Sequence, residues 1–382
     1  MTQTPITIVG AGLSGAVLAR ELAEGGYTVT VYEARDHVAG NCYTQRDAQT
    51  GVLVHRYGPH IFHTDDDDVW AYMNRFGVFR PFAHRVWSGV KGAVFPMPIT
   101  LATINQFFGT AMGPDAARAF IDQKADLIDA PQNFEEQALR MVGREIYQAF
   151  FEGYTRKQWG CAPRDLPASI LKRLPLRFSY DDSYFHHRYQ GMPQDGYTPV
   201  VQAMLDHPRI NLHVSTPYDP SCGAQGHVFW SGPLDAYFGY AKGRLGYRTL
   251  DFEDEVKMGD YQGCAVMNYA DADVPHTRIT EHKHFAPWES HAQTVITKET
   301  PRSCGPDDVP YYPLRLAKEK DMLHDYVDAA KTARGVTFMG RLGTYRYLDM
   351  DVCVREAIEV SAAFMKADQR GQRLGAFVHP PL

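Results

Sequence analysis

Residues 6–15 read ITIVGAGLSG, and this stretch decides the fold of the N-terminal part of the chain. Its first four residues are apolar and typical of a buried strand, and the rest contains glycines in G-x-G-x-x-G spacing. Apolar residues at a helical period follow, and a second β-rich run, residues 27–32, ends at Glu33. This order of strand, turn, helix, strand and acid predicts a dinucleotide-binding unit.

Each element of the motif has a physical role toward a dinucleotide. Gly10 permits a tight turn, Gly12 lets a pyrophosphate approach the backbone, and Gly15 lets the helix pack closely on the strand. The helix N-terminus offers free N–H groups and positive potential, and Glu33 can accept hydrogen bonds from ribose hydroxyls. A glycine-rich turn in another kind of α/β protein is the alternative, and the flanking strands and the acid favour the dinucleotide.

The composition is that of a globular protein with a large core. The chain has 382 residues, 44% of them hydrophobic and 22% charged, which predicts two or three domains. A net charge of −6 argues against a general nucleic-acid surface. The 22 tyrosines and 20 phenylalanines suit a sugar-nucleotide cleft, although they also fill cores, so their number alone does not decide between these roles.

The cysteines and the N-terminus predict a cytoplasmic protein. The six cysteines form no C-x-x-C pair and are irregularly spaced, which favours reduced thiols over a disulfide framework or a zinc site. A signal peptide would begin with a charged region followed by an apolar region. Strand residues begin at Ile6 instead, so we expect no signal peptide. We find no apolar run long enough to span a bilayer and expect no membrane span.

The segment that follows Glu33 predicts a long cofactor. Small residues recur through residues 34–64, which suits FAD laid against the backbone better than NAD. His60 and His63 have the H-x-x-H spacing of a metal pair, but Pro59 before them argues against a long helix, and we expect no metal. The four acids at 65–68 are expected to be solvated residues at a helix N-terminus.

The middle of the chain predicts helices. Asn133 and Glu136 make a plausible capping box before a helix over residues 134–150. Residues 161–178 are expected to form a proline-punctuated loop with a short helical piece at 168–173. We expect this loop to be a mobile lid.

The C-terminal half predicts an antiparallel sheet and then a second strand–turn–helix. Several β-rich runs recur between residues 244 and 300. His282 and His284 alternate on one of them and are expected to be surface residues. A strand at 336–339 is followed by a turn and by a helix over 349–367, which gives a second helix N-terminus for the cofactor.

Five motifs together resemble one family, the bacterial UDP-galactopyranose mutases. They are GAGLSG with Glu33, GPHIFHT at 58–64, FFEGYTRKQWG at 150–160, YQGMPQDGY at 189–197 and GRLGTYRYLDMD at 340–351. The resemblance extends nearly from end to end and implies a homodimeric flavoenzyme of cell wall polysaccharide biosynthesis. Such an enzyme interconverts UDP-galactopyranose and UDP-galactofuranose.

The resemblance also implies the fold, which is α/β with an FAD-binding Rossmann-like domain, an inserted helical domain and an antiparallel β-sheet domain. The FAD-binding domain is expected from residues 1–77, 197–240 and 334–382. The antiparallel-sheet domain is expected from residues 78–100, 177–196 and 241–333, and the helical domain from residues 101–176.

The site residues are carried over from matching positions of the family. Those expected at the cofactor are Gly10, Gly12, Leu13, Ser14, Gly15, Glu33, Ala34, Arg35, Gly40, Asn41, His60, Ile61, Arg341, Tyr347, Asp349 and Met350. Those expected at the substrate are Phe150, Phe151, Tyr154, Thr155, Trp159, Arg173, Tyr184, Asn268, Arg278, Tyr312 and Tyr347. Those expected to serve catalysis are Arg173, Arg278, His63 and His84.

Some of these assignments have rivals. Adjacent residues on a helix point about 100° apart, so we expect only one phenylalanine to stack on uracil, and we favour Phe151 over Phe150. Tyr311 is the rival of Tyr312 for the phosphates. Of the two motif histidines we favour His63 as the one that faces the flavin.

Two positions depart from the family pattern. Ala39 stands where the family often has glycine, which should be tolerable if the backbone there does not need a positive φ. His84 stands where some relatives carry Asn. Both side chains can form hydrogen bonds, so the role is expected to survive with a changed pH dependence.

The mechanism implied by the resemblance uses N5 of reduced FAD as the nucleophile that attacks the anomeric carbon, with an external reductant such as NAD(P)H. The sequence itself shows no Ser-His-Asp, Cys-His or paired-carboxylate set that could take this role. One alternative is an amine-oxidase-like FAD oxidoreductase, which shares the N-terminal motif but needs no arginine pair. Another is a flavin-free protein of the GDP-dissociation-inhibitor type.

Overall fold

A computed structural model describes residues 4–173, 176–222, 226–314 and 317–382. The side chains of residues 172, 173, 222, 317 and 318 also lie outside the described part. The Arg173 side chain, expected at the substrate, is therefore outside the described residues.

Strands occur along the whole chain. In chain order they are β1 (Ile6–Val9), β2 (Val29–Tyr32), β3 (Thr44–Arg46), β4 (Leu53–His55), β5 (Phe62–Thr64), β6 (Phe79–Pro81), β7 (Val86–Val90), β8 (Ala93–Met97), β9 (Tyr189–Pro193), β10 (Ile210–His213), β11 (His227–Trp230), β12 (Tyr247–Met258), β13 (Val266–Tyr269), β14 (Arg278–Glu281), β15 (Gln293–Ser303), β16 (Tyr312–Pro313) and β17 (Val336–Phe338).

The α-helices alternate with these strands and also form a block in the middle of the chain. They are α1 (Leu13–Glu24), α2 (Asp67–Asn74), α3 (Leu101–Phe108), α4 (Pro114–Lys124), α5 (Phe134–Ile146), α6 (Gly153–Trp159), α7 (Tyr197–Leu205), α8 (Leu234–Tyr237), α9 (Ala317–Thr332), α10 (Gly340–Gly343) and α11 (Met350–Gln369). A π-helix, Tyr147–Glu152, joins α5 to α6.

A five-stranded parallel sheet holds the N-terminal motif. Its order is β10-β2-β1-β11-β17, with β1 paired to both β2 and β11. Helix α1 packs against α11 and α7. Parallel strands with helical crossovers form the doubly wound arrangement that the glycine motif predicts, and they place the carboxyl ends of β1 and β11 at one edge.

A second sheet of seven strands has the order β16-β12-β15-β14-β13-β7-β8. Its pairs are antiparallel except for β13 with β7. The antiparallel sheet expected from residues 244–300 is therefore present, and β7 and β8 extend it. Strand β9 pairs with β5 and β6 in a separate three-stranded antiparallel sheet, and the assignment of residues 177–196 to the antiparallel-sheet domain stays a prediction.

The helix expected over residues 134–150 is interrupted. Asn133 caps α5 by accepting from the Glu136 N–H at 2.9 Å, but the predicted capping box is incomplete because Glu136 Oε2 accepts from the Gln132 N–H at 2.7 Å and not from that of Asn133. Gly143 then has φ +73°, and a Cβ there would lie 2.6 Å from the Lys124 carbonyl oxygen. The close approach of α4 therefore requires glycine, and the chain continues as a π-helix.

The prediction that His282 and His284 lie on a strand is wrong, and so is the surface position expected of His282, whereas the His284 side chain is 25% exposed. Both lie in a 3-10 turn, His282–Phe285, that follows β14. His282 is buried, and its Nε2 is 2.7 Å from the Thr297 hydroxyl. Among the described residues, no helix is long and apolar enough to cross a membrane.

Candidate active site

A cavity of about 950 Å³ is lined by residues from both large sheets. The glycine turn after β1 and the ends of β2 and β11 line one part of it. Another part is lined by strands β7, β13 and β14, the π-helix and the start of α11. The carboxyl ends of parallel strands are where α/β folds bind their ligands, so the cavity is where this topology predicts a site.

The glycine turn has the geometry that the motif predicts. Gly10 has φ +101°, which few other residues adopt. A Cβ on Gly15 would lie 1.9 Å from the Gly10 carbonyl oxygen, so α1 packs on β1 only because this residue is glycine. A Cβ on Gly12 would find its nearest atom, the Gly40 Cα, at 3.7 Å. Gly12 and Gly40 thus line a cleft whose walls are backbone.

Glu33 is held in place by backbone amides. Its Oε2 accepts from the Ala11 N–H at 2.8 Å and its Oε1 accepts from the Arg35 N–H at 2.9 Å. The carboxylate is buried at the cavity wall. Its position at the end of β2 is where dinucleotide-binding folds place the ribose acceptor.

Two arginines present buried donors to the cavity. Arg35 donates to the Asn41 Oδ1 at 2.9 Å, but its Nη1 has no hydrogen-bond partner among the described residues. Arg341 donates from Nη2 to the Tyr311 carbonyl at 2.7 Å, and its buried Nε also lacks a partner within the described part of the chain. Buried donors of this kind need an acceptor. Together with the glycine cleft they fit an anionic dinucleotide such as FAD.

Ala39 has a positive φ, so alanine is not at a position where the backbone tolerates it without cost. Its φ is +74°, in the left-handed region, and Gly40 after it has φ +52°. The Ala39 N–H donates to the Ala11 carbonyl at 2.9 Å, which fixes this bend beside the glycine turn. The backbone therefore does need a positive φ here, and alanine adopts it at a cost of about 1–2 kcal/mol.

Every residue expected at the cofactor lines this one cavity. These residues are Gly10, Gly12, Leu13, Ser14, Gly15, Glu33, Ala34, Arg35, Gly40, Asn41, His60, Ile61, Arg341, Tyr347, Asp349 and Met350. The residues expected at the substrate that also line it are Phe150, Phe151, Tyr154, Tyr184, Asn268, Arg278, Tyr312 and Tyr347. Thr155 and Trp159 are not among its lining residues.

Arg278 is the cation in the part of the cavity that the seven-stranded sheet forms. Its Nη1 lies 3.4 Å from Glu299 Oε2, and its Nε lies 3.5 Å from Asn268 Oδ1. Its side chain is 27% exposed and that of Glu299 4%. Burial alone would lower the pKa of Arg278, but Glu299 and nearby tyrosines hold this pKa above its ordinary value. A permanent positive charge therefore faces the cavity.

Several tyrosines line the cavity, and three of them, Tyr154, Tyr184 and Tyr312, lie close enough to Arg278 to affect its pKa. The rings of Tyr312 and Tyr347 stack with centroids 5.8 Å apart, and the Arg341 guanidinium lies 5.0 Å from the Tyr347 ring. Burial raises the pKa of Tyr184 to about 12, so its hydroxyl keeps its proton and can donate. Tyr311 also lines the cavity and is buried. Neutral hydroxyl donors beside an arginine suit a diphosphate.

The two phenylalanines of the π-helix differ in their surroundings. Both are buried and both line the cavity. The Phe150 ring packs edge-on against Phe95 of β8 at 5.2 Å and Phe107 of α3 at 5.4 Å, so it belongs to the core between this strand and this helix. This difference supports the preference for Phe151 as the stacking ring, and that preference stays a prediction.

The three candidate histidines have a lowered pKa, and two of them, His63 and His84, are buried. Burial, aided by Arg341, lowers the pKa of His60 to about 4, and burial, aided by Arg278, lowers the pKa of His84 to about 3. Both line the cavity, whereas His63 is not among the lining residues. His63 stacks on Phe185 at 3.7 Å, and its Nδ1 lies 2.8 Å from the His187 Nδ1. The preference for His63 over His60 as the flavin-facing residue therefore stays a prediction.

Sequence reasoning missed two functional neighbours. Glu299 is the partner of Arg278, and Phe185 contributes a ring to the cavity wall. Glu299 lies opposite Arg278 only because of the register between β14 and β15, which no local motif records. For Phe185 the available signal was the aromatic run at 184–185 beside the histidines at 186–187.

Comparison with known protein families gives two matches. Residues 149–347 match the model of the UDP-galactopyranose mutase family, and residues 8–76 match that of NAD(P)-binding Rossmann-like domains.

Curated proteins match over nearly the whole chain. A probable UDP-galactopyranose mutase of Klebsiella pneumoniae is 54% identical over 382 residues and covers 100% of both chains. A dTDP-fucopyranose mutase of Escherichia coli is 50% identical over 94% of this chain and 98% of its own length. A UDP-galactopyranose mutase of Mycoplasma pneumoniae is 30% identical over 92% of this chain and 94% of its own length.

Solved structures share the fold at low identity. A crystal structure of reduced UDP-galactopyranose mutase aligns with a TM-score of 0.73 at 16% identity, over 95% of this chain and 96% of that one. A putrescine oxidase bound to putrescine aligns with a TM-score of 0.56 at 13% identity, over 95% of this chain and 99% of that one. The fold is thus shared with amine oxidases, so the fold alone does not fix the chemistry.

Proposed function

We propose, because this chain belongs to the UDP-galactopyranose mutase family, that it is a flavoenzyme which interconverts UDP-galactopyranose and UDP-galactofuranose. The observation that carries the proposal is the shared cavity. The glycine cleft and the Arg278–tyrosine cluster line the same 950 Å³ space, and beside the cleft lie the arginine donors that have no partner among the described residues. A cofactor bound at the first would lie beside a diphosphate bound at the second.

The diphosphate is assigned to Arg278, Tyr184, Tyr312 and Tyr347. A hydrogen bond from a charged donor contributes about 1.5–3 kcal/mol, and the tyrosines add donors without adding charge. Breaking the anomeric C–O bond leaves negative charge on the diphosphate, which these groups are placed to stabilise. Arg173 is proposed as the second arginine.

The uridine is assigned to the wall formed by the π-helix and β13. Phe151 offers an aromatic face, for which stacking contributes about 1–3 kcal/mol. Asn268 lies on β13, and its Oδ1 is 3.5 Å from the Arg278 Nε. The amide can therefore hydrogen-bond a base or ribose while the guanidinium binds phosphate.

The resident cofactor is proposed to be FAD, held by the glycine turn, Glu33, Arg35 and Arg341. In its reduced form FAD would supply a nucleophilic nitrogen for the anomeric carbon. His60 and His84 are neutral at pH 7, so they can accept or donate a hydrogen bond at the cavity wall without adding charge. We further propose an external reductant such as NAD(P)H, a homodimer and a cytoplasmic location.

The test compares turnover of UDP-galactofuranose by oxidised enzyme and by enzyme reduced with dithionite without oxygen. We expect UDP-galactopyranose from the reduced enzyme only. Equal rates in the two states would contradict a role for the reduced flavin, and absence of product in both would contradict the assignment as a mutase. Oxygen consumption with an amine in place of the sugar nucleotide would favour an amine-oxidase-like activity instead.

A second candidate substrate is dTDP-fucopyranose, because a relative with that name is 50% identical over 94% of this chain. The two substrates differ by a methyl group on the base, the 2′-hydroxyl and the hydroxyl on C6 of the sugar. Parallel measurement of kcat/KM on both sugar nucleotides distinguishes them. A higher kcat/KM on the dTDP sugar would replace the proposed substrate and keep the proposed chemistry.

A further inference from the structure

Helix α6 packs closely against the loop that joins β13 to β14. This loop, residues 270–277, connects the strands that carry Asn268 and Arg278. A Cβ on Gly153, the first residue of α6, would lie 2.3 Å from the Ala270 carbonyl oxygen. The helix also carries Tyr154, which lines the cavity. The contact between the helix and the loop therefore sets the distance between two walls of the substrate site.

One side chain of α6 joins it to this loop. The Lys157 Nζ donates to four backbone carbonyls, those of Tyr269 at 2.8 Å, Asp271 at 2.8 Å, Val274 at 2.9 Å and His276 at 3.1 Å. Lys157 is four residues after Gly153, so both lie on the same face of the helix. An ammonium group has three hydrogens, so the four carbonyls share them.

The geometry resembles a cation site built from main-chain oxygen atoms. Four carbonyl dipoles converge on one half-buried ammonium group, at distances normal for charged hydrogen bonds. Burial lowers the pKa of Lys157 to about 8, while Asp271 and Asp273 act in the opposite direction. The group is therefore charged at neutral pH.

A second buried cation holds the end of the same helix. Arg248 on β12 donates from Nε to the Gln158 carbonyl at 2.9 Å and from Nη2 to the Lys157 carbonyl at 3.0 Å. These bonds satisfy carbonyls that the helix end leaves without partners. With its end attached to β12, α6 is a fixed support, and Lys157 links the hairpin loop to that support.

We propose that Lys157 is a positioning residue for the reaction, whose ammonium group holds the 270–277 loop on α6 and so sets Asn268 and Arg278 opposite Tyr154. The inference rests on the proposed function, since it takes the nucleotide diphosphate to be the ligand of those residues. Without Lys157, four carbonyls lose their donor, and packing is the contact between helix and loop that the described residues retain. The substrate site then loosens, while the cofactor end of the cavity keeps its own contacts.

The experiment uses the full-length protein with its flavin and three variants. K157A removes the side chain, K157M keeps its length without the charge, and R156M changes a neighbouring exposed cation that pairs with Glu152 on the outer side of α6. Flavin content, melting temperature and the Kd of UDP by calorimetry are measured for each. We expect a Kd for UDP about tenfold higher or more in K157A and K157M, with flavin content as in the wild type. R156M should match the wild type in all three measurements.

Chemical rescue distinguishes positioning from general stability. Propylammonium replaces the atoms that K157A removes, so it should restore UDP affinity in K157A. It should have no effect on K157M, whose side chain fills the space, and propanol should not restore affinity in either. Rescue by the amine would support the ammonium group itself as the positioning element.

Three results would overturn the inference. They are wild-type UDP affinity in K157M, loss of flavin in parallel with UDP affinity, and absence of amine rescue in a folded K157A that binds UDP weakly. A wild-type protein that does not bind UDP would instead contradict the proposed function. The two failures can therefore be told apart.

Discussion

Arg278 and Glu299 lie directly opposite each other on the antiparallel strands β14 and β15. Their charged groups are 3.4 Å apart at the wall of the cavity, and Thr280 donates to the other oxygen of Glu299 at 3.1 Å. Glu299 is almost fully buried, so it holds the guanidinium in place from behind. The arginine is thus positioned before any ligand arrives, which reduces the entropy lost on binding.

Replacement of Arg278 by alanine should lower kcat/KM by about 100-fold and keep the flavin bound. The charged contact contributes about 1.5–3 kcal/mol, and the variant also leaves Glu299 buried without its cation. E299Q keeps the shape of the partner and should lose only about tenfold. Kinetics and flavin absorbance of both variants check this, and a near wild-type kcat/KM in R278A would show that the arginine does not bind the diphosphate.

The Arg173→Ala variant should lose a large part of its activity. Bound UDP should also protect loop 161–178 from proteolysis. Substrate phosphates would provide the contact that favours a closed loop. Arg164 in the same loop is exposed and 3.8 Å from Glu135, so R164A is the matched control and should keep its activity. The measurement is limited proteolysis with and without saturating UDP. Equal cleavage in the loop under both conditions would contradict the lid.

The fold could be predicted where the signal is local. The first strand, the glycine turn, the helix and Glu33 lie within about thirty residues, so their order predicts the dinucleotide-binding unit. The structure has each of these elements in place. The Arg278–Glu299 pair and the four carbonyls around Lys157 depend on strand register and on the path of a loop. Neither can be read from residues adjacent in sequence.

Backbone strain could be predicted only in part. Gly143 interrupts α5 because α4 approaches it, and the sequence shows only a glycine in an otherwise helical pattern. Ala39 adopts a left-handed conformation although alanine favours a negative φ. In both cases tertiary contacts override the local preference, and the sequence alone does not describe those contacts.

The glycines of the motif should fail in different ways when changed to alanine. G15A places a Cβ 1.9 Å from a backbone oxygen, so it should destabilise the fold by several kcal/mol or prevent soluble expression. G12A meets no atom closer than 3.7 Å, so it should fold but bind flavin weakly. G375A, outside the motif and with nothing within 4 Å, should match the wild type. Thermal melting and flavin content test this, and a folded G15A with normal flavin would contradict the tight packing of α1 on β1.

The last prediction concerns the pH dependence of stability and depends on His84. Burial holds the folded-state pKa of His84 at about 3, whereas an unfolded histidine titrates near 6.5. Between these values the unfolded chain binds more protons than the folded one, so the free energy of unfolding decreases as the pH is lowered below about 6.5. For each proton that only the unfolded chain binds, the free energy of unfolding changes by about 1.36 kcal/mol per pH unit.

H84N removes this group and keeps a hydrogen-bonding side chain of similar size. Its free energy of unfolding in urea should therefore decrease less between pH 7 and pH 5 than that of the wild type. The other histidines whose pKa is lowered by desolvation continue to contribute in both proteins; they are His55, His60, His63, His227, His276 and His282. H186N, at an exposed histidine, is the control and should show the wild-type decrease. An identical decrease in H84N and the wild type would mean that His84 is not kept neutral by burial, and its imidazole would then carry charge beside Arg278.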